Sequence, residues 1–370
     1  MRHVLGNATP LERASMLKER LGGPPTSQRY SDCLIPPAKV LSIGPLRLTG
    51  GVYRDRKLVP GSELQRGWGG KLHNLVSEVD ALSSFDFSES YDEAVYGGYF
   101  FSHFGHFVIE TTTRLWWVVE NNYKGPVVFQ MMGMKVPTFA EEFFGLLGIR
   151  PVFVRGKKGV RAGSLIVPDV SAVERGWVSR AFIAPFQRLA EMCEARNSAE
   201  RIFVLRGEGV APAVGEGTLQ ELLQEEGYVA VDPARISLRQ QIAAFAGARE
   251  IVGLVGSAMH NIVYSRKARR VAYISRTNSI SNTFPSIDSA LNAFDSYYIY
   301  AQLNPLPLHG GLRGPYLIDT LSCQEYLKKS RFLARDREIS AKSLVQERES
   351  YMREWTRVFE EKGGKITYQK

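Results

Sequence analysis

Short apolar runs alternate with amphipathic stretches through the second half of the chain. Four of these runs have the length and the β-branched content of buried strands: "RIFVLR" (201–206), "YVAVD" (228–232), "EIVGLV" (250–255) and "RRVAYIS" (269–275). The stretches between them are short and have helical spacing. Alternation of this kind predicts a parallel sheet whose strands are joined by right-handed helical crossovers.

Helix boundaries in this half can be predicted from capping signals. Thr218 and Glu221 have the spacing of a capping box, and Gly227 is placed to end the helix that follows. Ser237 and Gln240 repeat the capping-box spacing before "LRQQIAAFAGA". The sequence therefore predicts one helix after each of the first two strands.

The first half repeats the pattern with less regularity. Strands are predicted at 126–132, 150–155 and 163–170, with a helix that begins at Thr138 and ends near Gly148. The stretch up to about Val40 contains "LGGPPTS" and is predicted to be an irregular arm.

The length of 370 residues favours two domains, since it exceeds the usual size of one hydrophobic core. We place a link near "EARNSAE". The predicted division is 1–195, a Rossmann-like domain with the arm; 196–330, a second Rossmann-like domain; and 331–370, a terminal helix that packs back on the body. The fold class is α/β.

The segment "YFFSHFGHFVIETTTRLW" (99–116) places polar residues in an otherwise apolar block. His106, Glu110 and Arg114 are spaced by four, so a continuous helix would carry them as one polar stripe. One interpretation is a chemical site, and the other is a hydrogen-bonded stripe that only locks the helix. His103 precedes the predicted helix, and for it a structural role is favoured.

The charge and composition of the chain limit the kinds of molecule that it is expected to bind. The net charge of +9 indicates an anionic binding partner. The basic residues are concentrated at 155–161, 266–270 and 328–331. No nucleic-acid motif accompanies these clusters, so we expect no nucleic-acid partner and consider an anionic membrane surface instead. The start of the chain lacks a signal-peptide pattern. The three cysteines lie far apart in the sequence, and we interpret them as reduced thiols. We therefore expect a cytoplasmic protein, peripheral on the inner face of the membrane.

In open parallel sheets, ligands bind beyond the carboxyl ends of the strands. That rule points to Arg206, Arg276 and the turn "GSAMHN". Gly256 and Ser257 expose backbone N–H groups where a helix begins, which is a suitable place for a phosphate. His260 and Asn261 follow in the first turn, where they can hydrogen-bond a phosphate or a sugar hydroxyl. Ordinary chain geometry is the competing interpretation of such a turn.

Two segments, "HFGHFVIETTTRLW" and "RIFVLRGEG … ISLRQQIAAFAGAREIVGLVGSAMHNIVYS", resemble glycosyltransferase family 61 and occur in the order of that family. The resemblance extends from about Tyr99 to Ser275. It implies a GT-B arrangement of two Rossmann-like domains facing a cleft, a nucleotide-sugar donor and inversion at the anomeric centre. Bacterial relatives are generally assigned to capsule or lipopolysaccharide assembly, so the expected acceptor is a saccharide or glycolipid.

The resemblance also suggests roles for particular residues. An inverting transfer needs one base for the acceptor hydroxyl, and His106 oriented by Glu110 suits that role, with His103 as a further candidate. Arg114 and Asp92 are expected on the acceptor side. The donor diphosphate is assigned to a second group of residues, which comprises Arg206, Gly256, Ser257, His260, Asn261 and Arg276.

The chain departs from the family pattern at two points. Val255 occupies the position where many members carry histidine before the glycine, and "GEGVAPAVGEG" replaces a charged cluster. Neutralisation of the diphosphate would then depend on Arg206, with help from Arg276 or the helix dipole. The donor is consequently not identified by these motifs.

The chain lacks the sequence motifs of several other enzyme classes. The chain has no Asp-x-Asp pair for a divalent ion, no G-x-S-x-G elbow and no G-x-G-x-x-G turn after a strand. The sequence thus predicts a metal-independent glycosyltransferase with no cofactor besides its nucleotide-sugar co-substrate. The alternatives are another polysaccharide-modifying transferase on the same fold, such as a pyruvyl transferase, and a non-catalytic sugar- or nucleotide-binding protein.

Overall fold

A computed structural model describes residues 1–42, 46–79, 81–193, 198–206, 212–303 and 314–361. The strands are β1 (Arg2–Gly6), β2 (Ser27–Ile35), β3 (Lys39–Ser42), β4 (Arg47–Thr49), β5 (Tyr53–Arg54), β6 (Lys57–Leu58), β7 (Gln65–Trp68), β8 (Lys71–Asn74), β9 (Val76–Ser77), β10 (Asp86–Phe100), β11 (Pro126–Met131), β12 (Arg150–Val154), β13 (Lys158–Pro168), β14 (Ala172–Val173), β15 (Trp177–Val178), β16 (Arg201–Val204), β17 (Ala213–Val214), β18 (Val229–Val231), β19 (Glu250–Leu254), β20 (Arg270–Ile274), β21 (Asp295–Tyr300) and β22 (Tyr316–Leu317).

The helices complete the description. They are α1 (Pro10–Leu17), α2 (Phe104–Ile109), α3 (Leu115–Glu120), α4 (Thr138–Leu147), α5 (Ala184–Cys193), α6 (Glu216–Glu225), α7 (Leu238–Gly247), α8 (Thr283–Leu291), α9 (Thr320–Lys329) and α10 (Ala341–Glu361), with 3₁₀ helices at Leu82–Ser84, Thr111–Arg114, Arg180–Ile183 and Ser257–Tyr264. Within the described residues, no helix is both long and apolar enough to cross a bilayer.

The chain forms two compact units. One comprises Met1–Lys18, Cys193–Ser281 and Ala293–Lys370, and the other comprises Glu19–Met192 and Asn282–Asn292. We call them the carboxyl-terminal unit and the amino-terminal unit. The predicted division differs from these units in two segments. Residues 1–18 belong to the carboxyl-terminal unit, and α8 belongs to the amino-terminal unit. The predicted link at 194–200 falls partly on 194–197, which lies outside the described residues.

The carboxyl-terminal unit is built on a six-stranded sheet in the order β1-β21-β20-β19-β16-β18. Every pairing in it is parallel, so the carboxyl ends of all six strands lie at one edge. The four predicted strands of this half are confirmed as β16, β18, β19 and β20, each within two residues of its predicted limits. The sheet therefore has the α/β character that the alternation predicts.

The capping signals of this unit have different outcomes. The capping box of Ser237 and Gln240 is confirmed, with both reciprocal hydrogen bonds formed at the start of α7. The capping box at Thr218 is wrong: the N-cap of α6 is Gly215, three residues earlier. The Thr218 hydroxyl instead donates to Glu347 of α10 at 2.6 Å, which anchors that long helix to its own unit.

The amino-terminal unit contains a seven-stranded mixed sheet in the order β12-β11-β10-β13-β2-β5-β6. β10 to β13 are mutually parallel, whereas β2, β5 and β6 are joined by antiparallel pairing. The predicted irregular arm is therefore wrong. β2 spans nine residues in this sheet, and β1 is an edge strand of the other one. Both segments are ordered by pairing with strands distant in sequence, which a local pattern does not reveal.

Candidate functional site

The predicted continuous helix through 104–116 is interrupted at Glu110. α2 ends at Ile109, Glu110 has φ −125° and ψ −44°, and a 3₁₀ turn over Thr111–Arg114 precedes α3. The threonine hydroxyls explain the break, because Thr112 donates to the carbonyl of Val108 at 2.6 Å and Thr113 to that of Glu110 at 3.0 Å. Such side-chain bonds compete with regular helical hydrogen bonding. The expected three-residue polar stripe is thus wrong, and only its first two members meet.

His106 and Glu110 form a close pair. The His106 Nδ1 atom lies 2.6 Å from Oε2 of Glu110. The Glu110 side chain is 2% exposed and that of His106 is 37% exposed, so the pair extends from the interior to the surface. A buried carboxylate thereby binds one ring nitrogen of an accessible imidazole.

Electrostatics fixes the proton on this imidazole. Burial alone would raise the pKa of Glu110, but hydrogen bonds from His106 and Arg66 bring that pKa below its ordinary value. An ionised carboxylate can only accept hydrogen bonds, so Nδ1 of His106 is the donor. The Nε2 atom is then the basic nitrogen of the neutral ring.

Arg66 completes the site, although no motif in the sequence predicts it there. Its Nε lies 2.7 Å from Oε1 of Glu110, its Nη2 lies 2.9 Å from Oε2, and Nε also lies 3.0 Å from Oε2 of Glu174. Burial lowers the pKa of Arg66, but the hydrogen bond and charge of Glu110 more than offset this and raise it. Arg66 comes from β7, 44 residues before Glu110, so sequence spacing does not associate them.

Glu110, Glu174 and His106 also have the residue types of a metal site. One ligand atom from each lies within 4.8 Å of the others. The Arg66 guanidinium already donates to Glu110 and forms an ion pair with Glu174, however, and supplies the positive charge that a metal ion would bring. The donor set therefore fits a guanidinium-bridged pair of carboxylates better than a metal centre.

A cavity of about 340 Å³ adjoins Glu110 within the amino-terminal unit. This volume lies in the range of small-molecule sites. Its wall has an apolar part and a set of carboxylates. The lining residues include Leu64, Ile109, Trp177, Glu63, Asp169 and Glu174.

The remaining predicted residues of this unit lie in different settings. His103 caps α2, with its ring centroid 5.5 Å from that of His106, and burial followed by the His106 charge lowers its pKa. Asp92 is exposed on β10, eight residues before the end of that strand. Asp92 therefore lies roughly 26 Å along the strand from the edge where α2 begins, at 3.3 Å per residue.

Arg114 is part of the core. It is 2% exposed, it donates to the carbonyls of Gly61 and Pro168, and its guanidinium carbon lies 5.1 Å from the centre of the Tyr96 ring. Both terminal nitrogens of its guanidinium group therefore donate to backbone carbonyls. The structure thus gives Arg114 a structural position in place of the expected contact with an acceptor.

The carboxyl-terminal unit brings the predicted arginines together. Arg206 follows β16, Gly256 follows β19 and Arg276 follows β20, all at the carboxyl edge of the parallel sheet. The guanidinium carbons of Arg206 and Arg276 lie 5.2 and 4.6 Å from the centre of the Tyr316 ring. A Cβ at Gly256 would lie 3.8 Å from Arg276 and 3.9 Å from Arg206, so this glycine sits beside both guanidinium groups.

The arginine pair carries an electrostatic cost. Burial and the charge of Arg276 lower the pKa of Arg206 to about 10, and burial also lowers the pKa of Arg276. Glu216, which accepts from the backbone N–H of Arg206 at 3.0 Å, has a raised pKa because of burial. Two half-desolvated like charges favour binding of an anion. Tyr316 and Glu216 were not predicted, since they belong to segments without a motif.

The turn after Gly256 is a 3₁₀ helix over Ser257–Tyr264. The Nδ1 atom of His260 lies 3.2 Å from the carbonyl of Ser257, so the two residues close this turn. Asn261 is fully buried, and its amide donates to Gln241 at 3.1 Å and to the carbonyl of Ala258 at 3.0 Å. Asn261 thus joins the turn to α7, a structural contact in place of the ligand contact expected for it.

Comparison with known protein families identifies the family of the chain. The family model described as "Glycosyltransferase 61" matches residues 104–292, slightly more than half of the chain. None of the curated proteins compared with the chain matches it. The matched range contains the His106–Glu110 pair and the Arg206–Arg276 pair, whereas Arg66 and Tyr316 lie outside it.

Proposed function

The chain belongs to glycosyltransferase family 61, and on that premise we propose that it transfers a sugar from a nucleotide-sugar donor to a saccharide or glycolipid acceptor, with inversion at the anomeric carbon. The observation that carries this proposal is the His106–Glu110 pair, which presents a half-exposed imidazole whose Nδ1 is already bound by a buried carboxylate. This is the arrangement that a general base requires.

The proposed reaction proceeds in one displacement. Nε2 of His106 takes the proton from the acceptor hydroxyl, and the acceptor oxygen forms a bond with the anomeric carbon. The bond from that carbon to the diphosphate oxygen breaks, and its electron pair leaves with the nucleoside diphosphate. Glu110 stabilises the imidazolium formed at His106.

The donor diphosphate is proposed to bind at Arg206 and Arg276 beside Gly256. Its support is the pair of guanidinium groups over Tyr316, because two phosphate charges would relieve their mutual repulsion. Ser257 and His260 are retained as donor-side residues, since their turn begins directly after Gly256.

We propose that the transfer needs no divalent metal. The support is the Arg66 guanidinium, which occupies the carboxylate oxygens of Glu110 and Glu174 that a metal would need. In the carboxyl-terminal unit, Arg206 and Arg276 supply the positive charge that neutralises a leaving diphosphate. No further cofactor enters the proposed chemistry.

We further propose a GT-B arrangement, a surface polysaccharide such as capsule or lipopolysaccharide as the product, and a cytoplasmic location against an anionic membrane. The parallel sheet of the carboxyl-terminal unit and the parallel strands β10 to β13 of the amino-terminal unit support the first of these. Exposed basic side chains support the membrane contact. They are Arg155, Lys157, Lys158, Arg161, Arg266, Lys267, Arg269, Lys328, Lys329 and Arg331.

A two-stage experiment tests the function. A thermal-shift screen with nucleotide sugars identifies the donor, because a ligand bound only by the folded state raises the melting temperature. Release of the nucleoside diphosphate with saccharide acceptors then measures turnover. Binding without turnover would favour the non-catalytic sugar-binding protein, and transfer of a non-sugar group would favour another transferase such as a pyruvyl transferase.

A further inference from the structure

Arg66 is delivered to the site by the β7–β8 hairpin. Its backbone bridges to that of Glu174, and the N–H of Gly67 donates to the Glu174 carbonyl at 2.8 Å. A Cβ at Gly67 would lie 2.6 Å from the carbonyl oxygen of Arg175 and 2.9 Å from the backbone N of Gly176. The two segments therefore approach too closely for a side chain, and Gly67 permits the register that sets Arg66 opposite Glu174.

The Arg66 side chain is held from several sides. It is 19% exposed, and its guanidinium carbon lies 5.8 Å from the centre of the Phe101 ring. Two of its nitrogens bind the two oxygens of Glu110, a bidentate geometry that a lysine ammonium cannot reproduce. The Glu110 carboxylate is consequently fixed in both position and rotation.

We propose that Arg66 is a positioning residue of this site, which fixes the Glu110 carboxylate so that Oε2 stays on Nδ1 of His106 and Nε2 stays free to accept a proton. This inference rests on the proposed function, because it assigns Arg66 a part in the same proton transfer. Arg66 acts through Glu110 and has no direct role toward the substrate.

The charges around the imidazole show why Arg66 is needed. The ionisable groups that face His106 are Glu110, His103, Arg66 and Glu174. Without the guanidinium, the buried carboxylate of Glu110 and the partly buried carboxylate of Glu174 would repel each other. Glu110 would then rotate away or take up a proton. In either case the proton on Nδ1 of His106 loses its fixed acceptor, and the ring can carry its proton on Nε2.

The location of this proton can be measured without any ligand. In protein labelled with ¹⁵N at its six histidines, long-range ¹H–¹⁵N spectra report which ring nitrogen of the neutral imidazole carries the proton. Loss of one signal set in His106→Ala assigns the ring. We expect wild-type His106 to carry its proton on Nδ1. In Arg66→Met the Nε2–H form should become populated, and Arg66→Lys should lie between the two.

Arg175→Met is the matched control. Arg175 approaches the same Glu174, with Nε 3.7 Å from its Oε1, yet it is 53% exposed and forms its ion pair with Glu174, whereas Arg66 also binds Glu110. We expect the His106 spectrum of Arg175→Met to match that of the wild type. An unchanged Nδ1–H pattern in folded Arg66→Met would overturn the inference, and so would an equal change in Arg175→Met.

Kinetics separates this inference from the proposed function. With the donor found in the thermal-shift screen, Arg66→Met should lower kcat by about 10²-fold with little change in KM, and Arg66→Lys should recover part of the loss. If His106→Ala is inactive but Arg66→Met has wild-type kcat, only the role of Arg66 fails. If His106→Ala is fully active, the proposed base itself fails, whatever the spectra of Arg66→Met show.

Should Arg66→Met fail to fold, Gly67→Ala and Arg66→Lys provide the same test. Gly67→Ala keeps every ionisable group but forces apart the backbones that set Arg66 opposite Glu174. It should therefore also populate the Nε2–H form of His106. A His106 spectrum identical to that of the wild type in both variants would contradict the inference.

Discussion

Arg206 and Arg276 lie over the ring of Tyr316, with guanidinium carbons 5.2 and 4.6 Å from its centre. Burial and mutual repulsion depress the pKa of Arg206 to about 10. A basic group whose pKa is lower in the folded than in the unfolded state destabilises the fold at every pH below its folded-state pKa. The cost disappears as the pH rises from the folded to the unfolded pKa. At neutral pH the pair is therefore a strained cationic site that an anion can relieve.

Inorganic pyrophosphate should raise the melting temperature of the protein, because it neutralises this arginine pair. In Arg206→Met the increase should be largely lost. Arg235→Met is the control, since Arg235 is 63% exposed and pairs with Asp232 in the same unit. Scanning calorimetry at constant ionic strength measures the effect. Equal stabilisation of wild type and Arg206→Met would place the anion site elsewhere.

Ser257→Glu should weaken donor binding. The new carboxylate would stand directly after Gly256, which lies beside both guanidinium groups, and would repel the donor diphosphate. Ser257→Ala removes the hydroxyl without adding charge and should bind the donor far better than the glutamate variant. Isothermal calorimetry with the identified nucleotide sugar measures both. Unchanged affinity in folded Ser257→Glu would exclude this turn from the donor site.

Transfer should persist in excess chelator, because Arg66 satisfies the carboxylates at the proposed base and two arginines serve the diphosphate. The measurement is nucleoside diphosphate release before and after EDTA treatment, followed by addition of Mg²⁺ or Mn²⁺. A loss of activity that either ion restores would show that the transfer requires a metal.

Arg114→Met should destabilise the fold and leave the chemistry intact. The substitution removes the donors to the buried carbonyl of Pro168 and to the part-buried carbonyl of Gly61, at a cost of about 2–4 kcal/mol in the free energy of unfolding. Urea unfolding gives this change, and turnover is expressed per folded molecule. A stable Arg114→Met variant that had lost turnover would restore the acceptor-side role that the helical spacing predicts.

The parallel strands were predictable because each is a continuous apolar run. β16, β19 and β20 are buried on both faces, so "RIFV", "EIVGL" and "RVAYI" are recognisable without knowledge of their partners. Their order along the chain also places Arg206 and Arg276 at one edge. For this reason the arginine pair was found from sequence. Tyr316 was not, because β22 has only two residues and its place depends on pairing with β17.

The environment of His106 was only partly predictable. The spacing of four brought Glu110 to His106 because one helical turn suffices for that contact. Arg114 lies one turn further, beyond a break made by threonine hydroxyls that a spacing rule does not include. Arg66 reaches the site through a hairpin whose register depends on a close backbone approach at Gly67. That contact is a property of the folded chain and has no local signature.

We propose that His106 is the general base and Glu110 its orienting partner. A base contributes about 10²–10⁴-fold to the rate, so His106→Ala should lower turnover by that factor and leave donor affinity nearly unchanged. Glu110→Gln should lose less, because it keeps the shape of the side chain but removes the charge that stabilises imidazolium. His3→Ala is the control, since His3 stacks on Tyr297 at 4.5 Å in the carboxyl-terminal unit.

Turnover per folded molecule of His106→Ala, with donor affinity measured on the same sample, is the most direct test. We expect a loss of about 10²–10⁴-fold in turnover at nearly wild-type affinity. A sharply lowered melting temperature with near-normal turnover of the folded fraction would contradict it. The pair would then be a structural feature of α2, and the base role would return to His103 or Glu110.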